Sequence, residues 1–481
     1  MASTPAEPRV GDGINVTLAM AKDFIYLAES SDWAPTIQAV WELTTANYSI
    51  WVGKKHRSVT MPQYDTSTGA FPVGLLSKVR TGLTRQGFNV TVGDHRGPAP
   101  SIVDRSVYAG WGLWAHQLEV TDAALTFGVG IIKAATGSGK SRVAAAITAA
   151  TLTAKWLVIV HREGIRAQLE STLKHFLGAD QVGAVASGRC ELRRVTTATY
   201  ASMETHPAAL AWAAQVDGVI GDEVHVCPAA THSAVLARCK NAYWRIGLSA
   251  TPLDRSDQRS CLAVSFFGDI IAEIPAARLI AAGILARPMV SFITFKHPLE
   301  GRRSYGKEFQ TSYSHGVVQS ILRNRMVAQL ALRAPKPCIV FFKDRAQGVM
   351  LEKLLAKSEF STMFVDGKVS QATRKTAATQ VKQGRVDIII ASVVFNEGID
   401  IPELQSAVNG ACGKSIIQVL QRIGRVMRVT AAKKVVYVFD IADGGDRFLE
   451  DHGLERRRAM MKEGHDVRVV DSVDEAMGAW A

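Results

Sequence analysis

The run Ala134-Ala-Thr-Gly-Ser-Gly-Lys-Ser141 gathers the residue types that grip a chain of phosphates. It follows the apolar run Val129-Gly-Ile-Ile132 and precedes the helix-forming stretch Arg142–Ala150, so a strand, a glycine-rich turn and a helix start succeed one another. Gly137 and Gly139 let backbone N–H groups approach phosphate oxygens, and the helix start favours negative charge. Thr136 and Ser138 complete the turn, Lys140 supplies a positive charge to the β- and γ-phosphates, and Ser141 offers a hydroxyl to Mg²⁺. Ala134 stands where the strict GxxxxGK[ST] pattern has its first glycine, so a Gly/Ser turn without a ligand stays open at this point.

Asp222-Glu-Val-His225 comes directly after an apolar run ending at Ile220. Carboxylates at the end of a buried strand are costly unless they serve a metal or a proton transfer. Asp222 would hold Mg²⁺, and Glu223 would position and polarise an attacking water. Taken alone, the run equally describes an exposed acidic turn; downstream of the Lys140 loop in an α/β pattern, the nucleotide-hydrolysing reading is favoured. Gln421-Arg-Ile-Gly-Arg-Val-Met-Arg428 sets Arg422, Arg425 and Arg428 three residues apart, which on a helix places them along one face. Three adjacent guanidinium groups repel and favour an anionic partner such as a γ-phosphate. In isolation a solvated basic face is the favoured explanation of them.

The elements that must position these groups are read from apolar periodicity. Short apolar runs, Trp156–Val160 and Val216–Ile220, alternate with helix-like stretches such as Glu163–Phe176. A second series holds Cys338–Phe342, Val386–Ala391 and Val435–Phe439. Such alternation predicts βαβ units on parallel sheets. The Pro- and Gly-bearing stretch 287–316 is expected as the connection between the two series, and the Pro/Gly-rich 95–101 as an earlier boundary. Before it, Leu75–Leu83 predicts an amphipathic helix and Asn89–Val92 a strand, with a basic cluster at Lys54, Lys55 and Arg57. The expected domains are 1–100, 101–290, 291–450 and a tail 451–481.

A chain of 481 residues exceeds one hydrophobic core, so several domains are expected. Lys plus Arg outnumber Asp plus Glu by 56 to 44, a surplus that favours a polyanionic partner. Six scattered cysteines without a CxxC pair argue for reduced thiols rather than a disulfide or zinc framework. The apolar stretches are interrupted by charge, as at Asp122, Lys133 and Lys155, so no membrane span is expected, and the cytoplasm is the expected compartment.

Taken in order, Ala134–Ser141, Asp222–His225, Ser249-Ala-Thr-Pro252, the segment 391–402 with Asn396-Glu-Gly-Ile-Asp-Ile-Pro402, and Gln421–Arg428 resemble the motifs of superfamily 2 helicases over residues 105–445. The resemblance implies an α/β fold of two tandem RecA-like parallel-sheet domains with a small N-terminal α/β domain. It implies ATP and Mg²⁺ as cofactors and DNA as track, with no membrane and a monomeric chain. Gln117 resembles the adenine-reading glutamine. Gly398 and Asp400 resemble the nucleotide-facing part of the fifth motif. Arg425 and Arg428 match the arginine-finger positions, and Lys140, Asp222 and Glu223 the catalytic core. His225, Ser249, Thr251, Gln421 and Arg422 resemble coupling positions. Nucleic-acid contacts are implied near Arg162, Thr199, Lys343 and Ser392.

The segment 266–288 and the pair Asn324-Arg325 resemble the XPB-type and phage UvsW-type members. The region 64–96 resembles the DNA-contacting domain ahead of the UvsW-type motor, although a capping layer with a solvated basic face accounts for it too. The combined expectation is an ATP-dependent 3′ to 5′ DNA helicase or translocase that remodels forks and junctions. An RNA-remodelling ATPase and the motor subunit of a restriction or nuclease complex are the alternatives. The presence of Lys140, Asp222, Glu223, Arg425 and Arg428 argues against a binding module with a dead ATPase.

Overall fold

The computed structural model describes residues 10–52, 55–186, 188–227, 230–253, 259–299, 304–366, 371–392, 401–413, 424, 427, 429–430 and 433–479. The chain divides into two units, Met1–Ala134 with Gly139–Ile274 and Ala135–Ser138 with Pro275–Ala481.

In the first unit the β-branched runs that predicted strands form an eight-stranded sheet. From the strand Trp156–Val160 the order continues through Gly218–Asp222, Trp244–Ser249 and Val129–Ala134 to the edge strand Ile270–Ile274. These neighbours are parallel, so their carboxyl ends lie at one end of the sheet. Trp156–Val160 is buried at every position, as a strand covered on both faces must be. The helix Lys140–Ala150 is buried continuously from Val143 to Ala150, and its alanines give it the small cross-section that packing at such a central position requires. Trp156 and Trp244 stack at 5.7 Å across the intervening strand Gly218–Asp222, and the Trp156 indole N–H donates to Thr151 Oγ1.

The N-terminal part of this unit is a smaller four-stranded sheet, in the order Ala70–Pro72, Phe24–Ser30, Asn15–Met20 and Asn89–Asp94. The helices Trp33–Thr44 and Leu76–Arg85 bury Ala39, Val40, Val79 and Leu83 in the core with Val16, Leu18 and Ile25. This layer is docked firmly on the large sheet's helices. A Cβ at Gly74 would stand 2.0 Å from the Val264 carbonyl, so only glycine permits the approach. Arg245 donates from Nε to the Lys22 carbonyl at 3.2 Å, and the Arg96 guanidinium lies 4.4 Å from the Tyr243 ring centroid.

The second unit holds a seven-stranded parallel sheet. Its order is Thr362–Val365, Ile388–Ser392, Cys338–Phe342, Ser406–Asn409, Val435–Gly444, Arg287–Lys296 and Asp466–Val470. Two expectations are corrected here. The stretch 287–316 is not simply a connection: Arg287–Lys296 is a ten-residue strand paired on both sides. Pro288 suggested a linker, but pairing with Asp466–Val470 begins only at Met289, so the proline's missing N–H falls beyond that ladder. Residues 451–481 are not a tail. They complete the helix Arg447–Lys462, add the edge strand Asp466–Val470 and end in the helix Val473–Gly478, whose Ala476 is buried in the core.

The core of this unit also contains matched charges. Arg323 donates to Asp443 at 2.6 and 3.0 Å, and His297 Nε2 lies 3.1 Å from the same carboxylate. Arg456 pairs with Asp440 at 2.9 Å. Together with Asn324 and Gln347, these groups surround the Gly410–Gly413 turn: Arg323 and Gln347 both donate to the Gly410 carbonyl.

Candidate active site

Three neighbouring parallel strands end together, and their last residues are the chemically interesting ones. Val129–Ala134 leads into the phosphate loop, Gly218–Asp222 into Glu223, and Trp244–Ser249 into Thr251. In doubly wound sheets, ligands bind at such carboxyl ends. Gly137 and Gly139 adopt φ of +89° and +83°, as the turn reading requires. Gly139 ends the turn beside Gln117, whose Nε2 would lie 2.2 Å from a Cβ there.

Lys140 and Ser141 open the central helix. The Lys140 ammonium donates to the Ala134 carbonyl at 3.3 Å and lies 3.7 Å from Glu223 Oε1. The other Glu223 oxygen lies 3.3 Å from His225 Nδ1 and accepts from Ser249 Oγ at 3.4 Å. His225 Nδ1 and Ser249 Oγ are 3.3 Å apart, and the Thr251 N–H donates to Ser249 Oγ at 3.2 Å. The phosphate-loop lysine, the acidic motif and the Ser249–Thr251 motif thus form one continuous polar cluster.

The two adjacent acids differ in character. Asp222 Oδ1 is buried without a hydrogen-bond partner among the described residues. Burial first, then the neighbouring Glu223 charge, pushes its carboxyl up to about 6. For Glu223 burial also pulls upward, but the Lys140 ammonium and the His225 hydrogen bond outweigh it and hold the carboxyl down to about 2. Glu223 also sits at φ 54°, ψ 53°, a left-handed conformation rare outside glycine. An orphaned, desolvated carboxylate oxygen beside the Lys140 ammonium is what a hard divalent cation would satisfy. The donor set of Asp222 and Ser141 therefore fits Mg²⁺. His161 adds a neutral imidazole nearby, its pKa lowered to about 4 by burial and then by Arg162.

Two family models match the chain: the type III restriction enzyme res subunit over residues 113–254 and the helicase conserved C-terminal domain over residues 322–430. The chain is 27% identical over 375 residues to the DNA 3′-5′ helicase XPB of Kineococcus radiotolerans, covering 76% of this chain and 66% of that protein. It is also 27% identical over 238 residues to the ATP-dependent DNA helicase uvsW of Enterobacteria phage T4, covering 48% and 47%. The chain belongs to the superfamily 2 helicases, in the XPB- and UvsW-like group. It spans about half to two thirds of the length of these relatives. Among solved structures, a fragment of a putative HsdR subunit of a type I restriction enzyme from Vibrio vulnificus shares the fold, with TM-score 0.55 at 17% identity over 91% of this chain and 95% of that one.

Within this superfamily 2 chain, the sequence-predicted residues are placed as follows. Lys140, Glu223, His225, Ser249 and Thr251 meet in the cluster above, with Asp222 and Ser141 alongside. Gln117 is fully buried and spends its Oε1 accepting the Trp114 N–H at 3.0 Å, which caps the helix Ala115–Phe127. Thr136, Gly137 and Ser138 form the glycine-rich turn after the strand Val129–Ala134. Gly398, Asp400, Gln421, Arg422, Arg425, Arg428 and Lys54 lie outside the described residues.

The residues expected at nucleic acid are spread widely. Arg162 is exposed just after the strand Trp156–Val160. Thr199 is buried and its hydroxyl accepts the Ser202 N–H at 3.0 Å, capping the helix Tyr200–Thr205. Lys343 is exposed after Cys338–Phe342, 5.4 Å from the Tyr313 ring centroid. Ser392 ends Ile388–Ser392 with its hydroxyl buried and unpartnered among the described residues. Lys55 and Arg57 belong to the strand Lys55–Met61, where Arg57 is exposed.

Sequence reasoning missed His161 and the left-handed backbone of Glu223. The His161-Arg162 pair after a buried strand was a usable signal for the first; nothing in the local sequence announces the second.

Proposed function

We propose that this chain is an ATP-driven motor that moves on DNA with 3′ to 5′ polarity and remodels forks and junctions in replication, recombination or repair. The observation that carries the reading is the convergence of Lys140, Glu223, His225 and Ser249 at the ends of three parallel strands. ATP phosphates rest on Gly137–Ser141, with Lys140 against the β- and γ-phosphates. Glu223, held ionised, accepts a hydrogen bond from the attacking water and orients it. Lys140 is 3.7 Å from Glu223, so γ-phosphate arrival and the state of the general base are electrostatically linked. His225 and Ser249 transmit the occupancy of Glu223 to Thr251 through the chain of contacts described above. A bound Mg²⁺, held by Asp222 and Ser141, would supply Lewis-acid neutralisation of phosphate charge. Arg425 and Arg428 are assigned to transition-state charge on the γ-phosphate.

The names of the relatives, a DNA 3′-5′ helicase and an ATP-dependent DNA helicase, support DNA and the polarity. The test is steady-state ATP hydrolysis without nucleic acid and with single-stranded DNA, linear duplex, a four-way junction and single-stranded RNA. Strongest stimulation by the junction is expected. Strongest stimulation by RNA would replace this reading with an RNA-remodelling ATPase, and no hydrolysis under any condition would overturn both.

A further inference from the structure

The N-terminal layer and the large sheet of the first unit enclose a groove of about 810 Å³. One wall is the outward face of the helix Leu76–Arg85, where Ser77, Arg80, Thr81 and Thr84 recur at helical spacing. The opposite wall is Phe127 with Val129 and Ile271. Phe127 ends the helix Ala115–Phe127 and is 59% exposed, unusual for a phenylalanine at the edge of a packed unit. Val129 begins the strand that leads to the phosphate loop at Ala134. The groove therefore lies at the amino ends of the strands, roughly 20 Å along the sheet from the ATP-binding turn. Arg162 and Thr199, expected at nucleic acid, follow or end strands at the carboxyl end.

The chemistry of the walls is selective. Arg96, at the rim, is already neutralised by Asp94 at 2.7 Å and stacked on Tyr243. Arg80 is exposed and has no carboxylate partner among the described residues. Asp269 is the single carboxylate among the residues lining the groove. Guanidinium groups with threonine and serine hydroxyls are the usual partners of phosphate oxygens, and an exposed aromatic face is a platform for an unpaired base. A purely apolar ligand would leave the polar wall unsatisfied, and a free phosphate would not use Phe127.

We propose that this groove binds a single nucleic-acid strand, separate from the strand contacted at the carboxyl ends, with Arg80 on the backbone and Phe127 stacked on a base. The proposal rests on the motor reading and deepens it: a second strand site is what an enzyme working at a fork would use to hold a displaced arm.

The test uses the full chain and two probes, oligo(dT) and a forked duplex with one oligo(dT) arm, with Kd measured across a salt series. Both positions are exposed, so Phe127→Ala and Arg80→Ala should fold as the parent does. Phe127→Ala is expected to weaken binding of the forked probe about ten-fold without altering the salt slope, since stacking releases no counterions. Arg80→Ala should weaken it and reduce the slope by about 0.7, the contribution of one single-strand phosphate contact. Parent-like binding by both variants overturns the proposal. A slope change in Arg80→Ala with an indifferent Phe127→Ala also overturns it, because the groove would then hold only a duplex backbone. Parallel ATPase assays separate the two readings. A parent enzyme that DNA stimulates, with variants that bind normally, removes the groove alone. A parent unstimulated by any nucleic acid removes the motor reading, while the binding series still decides the groove.

Discussion

Glu223 carries its carboxylate on a backbone that disfavours it. At φ 54° and ψ 53° a side chain other than glycine crowds the following carbonyl, at a cost of about 1–2 kcal/mol. Two substitutions isolate this cost. Glu223→Ala and Glu223→Gly both delete the carboxylate and its contacts to Lys140, His225 and Ser249, and they differ only in Cβ. At an ordinary helix or strand position the glycine variant would be the less stable by about 0.5–1 kcal/mol, because its unfolded chain has more freedom. Here the order should reverse, with Glu223→Gly more stable than Glu223→Ala by about 1 kcal/mol. For a unit of this size that corresponds to a difference of about 2–4 °C in the melting temperature. Thermal melts of the two variants in the same buffer, without nucleotide, measure it, and neither should turn over ATP. A glycine variant equal to or less stable than the alanine variant would refute the claim that backbone strain is stored at Glu223. The parent keeps the strained residue because no glycine can reach Lys140 and His225.

Four further outcomes are expected. Glu223→Gln should still bind ATP but lower its hydrolysis by roughly 10²–10⁴-fold, as loss of a general base does, whereas Lys140→Ala should lose turnover with DNA binding retained; filter binding and phosphate release read the two. Arg425→Ala should lower kcat by about 10³-fold with little change in ATP affinity, and an unaltered rate would remove the finger assignment. Asp443→Ala leaves Arg323 buried and unpaired, so it should cost about 3–5 kcal/mol in urea unfolding. Glu170 is nearly buried; burial pulls its pKa up, but Lys174, Arg166 and Arg189 override that and hold it down to about 2. Its folded pKa lies below the unfolded one, so the stability it adds is present above about pH 4.5 and lost as pH falls toward 2. The loss amounts to up to roughly 3 kcal/mol, and Glu170→Gln should flatten that acid limb of the unfolding profile.

The turn at Gly137–Gly139 and the strand end at Asp222 were legible because their geometry is local: a helix start, two left-handed glycines and a strand end leave marks within a few residues. The strands Trp156–Val160 and Cys338–Phe342 match their apolar runs residue for residue, since strands covered on both faces tolerate little else. Arg287–Lys296 was hidden by the rule that proline breaks sheets, which holds only where a neighbouring strand needs the missing N–H. The C-terminal strand Asp466–Val470 sits on the sheet edge and is half-exposed; its alternation of Val467 and Val469 with Asp466 and Arg468 is only five residues long and was passed over in the expected tail. Gln117 caps its own helix through the Trp114 N–H three residues back, a local pattern, whereas its complete burial beside Gly139 depends on the fold and leaves no mark in the sequence. The Arg323–Asp443 pair, 120 residues apart in the chain, leaves no sequence signal at all.

Buried charge is paired in both units, at Arg166–Glu170 in the first and at Arg323–Asp443 and Arg456–Asp440 in the second, and the contrast with the unpartnered groups at the strand ends bears on which polar groups are functional. In the second unit the buried arginines Arg323 and Arg456 each meet a carboxylate at 3.0 Å or less, and both donate to backbone carbonyls of the Gly410–Gly413 turn as well. Every one of those charges is satisfied within the fold, so their work is to fix the turn ahead of the arginine motif, and removing one partner should register in stability before activity. In the first unit Asp222 Oδ1 and Thr251 Oγ1 are buried without partners among the described residues, and Glu223 is strained. A fold selected for stability alone would pair or remove such groups. They persist at the ends of the same three strands, beside a turn shaped for phosphates. Their unmet hydrogen-bonding and charge requirements are therefore best explained as those of a bound nucleotide and its cation.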